Sequence, residues 1–144
     1  IYKVNLCITY FEMINSAEQN INDLSIYRKS LDIFKLSRHV ASYVTDDKGI
    51  ISMYRSGSKS DNYADNLVMN AFRLVPKIVE TEIQKNPEVK LKYAKSLRYF
   101  IDRLYQDCLK LESLKIQGKD FVKLLRRELK KLRKIHGHYV SSML

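Results

Sequence analysis

Tryptophan is absent from this chain of 144 residues, and there are only two cysteines, two prolines and four glycines. Cys7 and Cys108 are too few to form a disulfide framework, so a hydrophobic core must hold the fold, and a reducing cytoplasm is the expected setting. Few prolines and glycines exclude collagen-like and low-complexity architectures and leave room for long uninterrupted helices. No apolar run approaches the roughly 18 residues of a spanning helix, and no charged-then-apolar leader ends in a small-residue cleavage site. The expected product is soluble and makes no membrane contact. It begins at Ile1 and not at Met, as a fragment or processed chain does.

The chain has charge of one sign in excess. Lysine and arginine number 26 against 16 acids, a net charge of +10, and the placement is uneven. Residues 1–60 carry 8 basic and 6 acidic side chains, residues 61–118 carry 10 and 8, and residues 119–144 carry 8 and 2. The last 26 residues therefore hold +6 of the +10. Such a concentrated positive field favours polyanions.

That terminal stretch, Lys119 to Leu144, has helical periodicity. Phe121, Leu124, Leu125, Leu129, Leu132, Ile135, Tyr139 and Met143 form an apolar arc. Lys119, Lys123, Arg126, Arg127, Lys130, Lys131, Arg133 and Lys134 form a basic stripe opposite. The stripe is long enough to follow several phosphates, and its plain alternative is a solvated helix face; the scarcity of balancing acids favours nucleic acid. Glu128 falls within the apolar arc, so it should meet a cation, either in its own chain or across an oligomer interface, because an unpaired buried carboxylate is costly.

Upstream, Tyr2, Val4, Leu6, Ile8 and Tyr10 alternate with polar residues in a strand-like pattern, and residues 1–21 are assigned as a short N-terminal extension. Asn22 and Asp23 resemble an N-cap for a helix running to about Val44. Its apolar face carries Ile26, Tyr27, Ile33, Phe34, Val40, Ala41 and Val44, with Ser30 and Ser37 admitting close neighbours. Residues 45–60 form a long connection. A second helix spans about Asp61–Lys85 with Pro76 on its outer face, where a kink is expected. A third spans about Pro87–Leu114 after the Asn86-Pro87 turn, and Lys115 to Gly118 reverse the chain into the basic helix. The spacing predicts an all-α fold, an antiparallel four-helix bundle of up-down-up-down topology over residues 22–144.

Chemistry other than charge is sparse. Tyr99 lies off its helix's apolar stripe beside Lys92, Lys95 and Arg103, either to stack on bases or to cover a neighbouring helix. His136 and His138 are about 200° apart on a helix and cannot share a metal, and His39 has no ligand at suitable spacing. Ser56 to Lys59 match a Ser-x-x-Lys pattern without supporting motifs. No catalytic residue, metal or cofactor is assigned, and the chain is expected not to be an enzyme.

Three stretches carry a resemblance: NDLSIYRKSLDIFKLS (Asn22 to Ser37), AFRLVPKIV (Ala71 to Val79, with a mid-helix proline) and the hairpin from Leu97 to Tyr139. Together they resemble the four-helix-bundle family of ribosomal intervening-sequence proteins and accessory variability proteins of diversity-generating retroelements. Ile78-Val79-Glu80-Thr81 departs from the Asn-Ile-Ala-Glu-Gly of the intervening-sequence branch, which leaves the retroelement branch open. The resemblance implies a ring-like homo-oligomer, commonly a pentamer, that binds RNA or a DNA/RNA duplex and partners a reverse transcriptase. The alternative is a scaffold of the intervening-sequence type that docks an acidic protein.

Overall fold

A computed structural model describes residues 21–45 and 58–144. They form four helices: α1 (Ser25–Val44), α2 (Lys59–Glu82), α3 (Pro87–Glu112) and α4 (Lys119–Ser141). No strand occurs among the described residues. The strand-like segment 1–20 and most of the first connection, residues 46–57, lie outside them.

Local signals explain most helix ends. Ser58 caps α2 by accepting from the Asp61 amide at 3.0 Å. Asn86 caps α3 by accepting from the amides of Glu88 and Val89, with Pro87 in the first turn, where a missing N–H costs nothing. At the start of α1 the expected cap does not form. Leu24 occupies the cap position without a side-chain hydrogen bond, and Asn22 and Asp23 are exposed. The cause is Ile21, which is buried and turns the chain so that the Leu24 amide bonds its carbonyl at 2.9 Å. The helix α2 continues through Pro76, which sits on the outer face as the wheel placed it.

The helices pack in sequence order around a square, α1 on α2, α2 on α3, α3 on α4 and α4 back on α1. Neighbours run antiparallel, which the short α2–α3 and α3–α4 connections require. The main core cluster takes Ile26, Ile33 and Val40 from α1, Leu67, Leu74 and Ile78 from α2, Leu97, Ile101 and Leu104 from α3, and Leu125, Leu129 and Leu132 from α4, and a smaller cluster joins Ala41 of α1 to Ala64 and Val68 of α2. Each such side chain contributes about 1.5–3 kcal/mol of transfer free energy. Ser30 and Ser37 are wholly buried within the α1 stripe, so small residues do admit close packing there.

The apolar arc of α4 is rotated from expectation. Its buried residues are Val122, Leu125, Leu129, Leu132 and His136, while Phe121 and Leu124 remain 38% and 41% exposed. The apolar side chains of this helix cover a wider sector than its neighbours can close over, so the α1 edge of the arc is only partly covered. Tyr43 of α1 stacks on Phe121 there, with ring centroids 4.3 Å apart and planes inclined by 14°.

Candidate nucleic-acid interface

The basic face of α4 divides into three edges according to what lies beside it. Toward α3, Arg126 donates from Nε and Nη2 to Glu112 at 3.0–3.2 Å. One heptad on, Arg133 donates from Nη2 to Asp102 at 2.9 Å, and its guanidinium lies 4.2 Å from the centre of the Tyr105 ring. Asp102 also accepts from Arg98 Nε at 2.9 Å. Both α4 arginines are only 28% exposed, held in the α3–α4 groove. Their role is packing and pairing, not a free field.

Toward α1, Glu128 accepts from Lys131 at 3.0 Å and from Lys29 of α1. These donors hold its carboxyl below the usual carboxylate range, the Lys29 bond most strongly. The acid that the wheel placed inside the apolar arc thus lies at the helix seam, one-fifth exposed. Both of its cations come from its own chain.

Between these edges stand Lys119, Lys123, Arg127, Lys130 and Lys134. They make no ion pair among the described residues. Their spacing of four, four, three and four residues keeps them in one row rising about 22 Å along the axis. Lys123, Arg127, Lys130 and Lys134 are exposed and Lys119 is half-buried. The eight-residue stripe is therefore a row of five free cations flanked by three engaged ones, and all eight side chains remain on one helix.

Tyr99 is the most exposed aromatic ring among the described residues, at 61%. It meets Phe100 edge-on at 5.5 Å, and Arg103 lies 5.8 Å from its centre. Lys92, Lys95 and Arg103 are exposed around it, as the spacing indicated.

The remaining polar groups are structural. His136 is buried with Nε2 2.8 Å from the Ala94 carbonyl, whereas His138 is exposed. Cys108 is wholly buried and its thiol is pushed up to about 12, chiefly by burial. No group of three or more metal-ligating side chains occurs among the described residues, and no helix there is long and apolar enough to cross a membrane. Ser56 lies outside the described residues, so the Ser-x-x-Lys pattern has no geometry to assess.

Sequence reasoning overlooked the contact between Asn70 and Asp107, where Asn70 Nδ2 donates at 2.9 Å between two buried side chains. Burial raises the Asp107 carboxyl, while Asn70, Lys110 and Arg103 act the other way. Their positions on the inner edges of α2 and α3 were the available signal. Asp102 and Glu112 were overlooked too, although the heptad Arg98, Tyr105, Glu112 and the heptad Arg126, Arg133 define matching helix edges.

No protein-family model, curated protein or solved structure matches the chain.

Proposed function

We propose that the protein is a non-enzymatic nucleic-acid-binding bundle that captures RNA or a DNA/RNA duplex electrostatically through α4. The observation that carries this reading is the unpaired row Lys119, Lys123, Arg127, Lys130 and Lys134. Five phosphates neutralised along it would give a logarithmic salt dependence of about −4. Phosphate contacts of this kind orient a ligand and carry no base sequence, so binding is positional. The resemblance adds a reverse transcriptase as protein partner and a homo-oligomeric state. For the latter, the half-covered Tyr43, Phe121 and Leu124 patch at the α1–α4 seam is one exposed apolar surface.

The test is charge reversal of Lys123, Arg127, Lys130 and Lys134 to Glu, read by fluorescence anisotropy on labelled RNA with helicity checked by circular dichroism. Binding is lost and helicity kept if the reading holds. Unchanged affinity at low salt ends it. The competing scaffold reading also draws on the Tyr43–Phe121 patch, and a pull-down with nuclease treatment separates the two, since a protein-only complex survives the nuclease.

A further inference from the structure

The terminal helix does not hold the positive charge alone. Residues 87–144, which form α3, α4 and their turn, contain 15 basic and 6 acidic residues, whereas residues 1–86 contain 11 and 10. The second hairpin thus carries +9 of the net +10, and the bundle is positively charged on one side.

On α3 the excess is concentrated on the outer face. Lys92, Lys95, Arg103 and Lys110 are all exposed and make no ion pair among the described residues. Arg103 and Lys110 instead lie over the rings of Tyr99 and Tyr63. Of the four acids of α3, Glu88 is exposed one turn before Lys92, Asp107 is buried against Asn70 within the field of Arg103 and Lys110, and Asp102 and Glu112 point toward α4 and are taken up by Arg133 and Arg126. Two exposed cationic rows without ion pairs among the described residues therefore run along adjacent antiparallel helices, with a lane of neutralised ion pairs between them. The pairings of Asp102 with Arg133 and Glu112 with Arg126 set the axial register, so that Arg103 and Lys110 stand level with the segment Lys123 to Lys134.

Packed helices lie 8–10 Å apart, and Lys110 leans toward Tyr63 of α2, so the two rows are separated laterally by about 10 Å or more. Two parallel lines of cations with a neutral lane between them match two phosphate chains on either side of a groove. A single strand offers one such chain and is normally held by a succession of aromatic platforms. Among the described residues of this face Tyr99 is the one strongly exposed ring, and Phe100 and Arg103 already contact it. The geometry points to a double-helical nucleic acid as the ligand, straddled by the α3 row Lys92, Lys95, Arg103 and Lys110 and by the free row of α4. This inference rests on the nucleic-acid reading of α4 and adds a second track and a ligand class to it.

The experiment compares three proteins: wild type, a helix-three variant (Lys95→Ala, Arg103→Ala, Lys110→Ala) and a helix-four variant (Lys123→Ala, Arg127→Ala, Lys130→Ala). Each is titrated by anisotropy against an RNA duplex, an RNA/DNA hybrid and the separated strands, over a range of salt, with polyglutamate as competitor. All substituted positions are exposed, and circular dichroism confirms the fold. Wild type should bind duplex or hybrid more tightly than single strands. The helix-three variant should lose at least tenfold on double helices and little on single strands, with its salt slope reduced by about 3. The helix-four variant should weaken on every nucleic acid. A helix-three variant that binds double helices like wild type overturns the second track and leaves the α4 reading standing. Equal losses on single strands and double helices overturn the ligand class. A helix-four variant without loss, or displacement by polyglutamate as effective as by nucleic acid, overturns the nucleic-acid reading itself.

Discussion

Lys29 of α1 donates to Glu128 of α4 across the seam where the first helix meets the last. It closes the ring of four helices electrostatically at the point where the apolar arc of α4 is interrupted. Glu128 is held below its ordinary value, so its ionised form is favoured by folding. The associated stability is present above the unfolded carboxylate value, near 4.5, and is lost as pH falls through the lower folded value.

A double-mutant cycle of Lys29→Ala and Glu128→Ala should show a coupling of about 0.5–1 kcal/mol in urea unfolding at neutral pH. The coupling should fade as pH falls through the lowered Glu128 value. A coupling of zero at low salt would show that the pair contributes nothing.

Asn70 and Asp107 have the opposite sign. Burial raises the folded value of Asp107 above its ordinary 3.8, so the fold loses stability as pH rises from there through the raised value. Removing the donor with Asn70→Ala leaves the carboxylate without its bond and should cost about 1–3 kcal/mol at neutral pH. The penalty should shrink as pH falls through the raised Asp107 value and the carboxyl becomes protonated. A penalty that does not vary with pH would show that the effect is packing alone.

Gly118 caps α4 at φ +79°, a left-handed conformation, and a Cβ there would lie 3.0 Å from Cβ of Tyr43. Both strain and crowding oppose Gly118→Ala, which should lower stability by about 1–2 kcal/mol. It should also disturb the Tyr43–Phe121 stack, seen as a change in tyrosine near-ultraviolet dichroism. A variant as stable as wild type would mean that the α3–α4 turn adapts.

The Cys108 thiol, buried and raised to about 12, should be inert to iodoacetamide in the native protein. With Cys7→Ser removing the other thiol, modification should occur only at the rate of global unfolding. Rapid labelling under native conditions would show that α3 opens locally at this position.

The sequence by itself determined the four helices, their order and most of their inner faces, because helical periodicity and end signals such as Ser58, Asn86 and Pro87 act over a few residues. It also determined that α4 holds cations on one side and apolar groups on the other. The tertiary structure decided which cations are free. Arg126 and Arg133 are neutralised by Glu112 and Asp102, and Lys131 by Glu128, and the α3 acids become partners of α4 only when the two helices pack edge to edge. It also decided that Val122 and His136, and not Phe121 and Leu124, face the core. A helical wheel gives the centre of an apolar sector, but the positions of the neighbouring helices set how much of that sector is covered. The alignment of the α3 row beside the α4 row has the same cause, since the register between two helices is a property of their packing and not of either sequence alone.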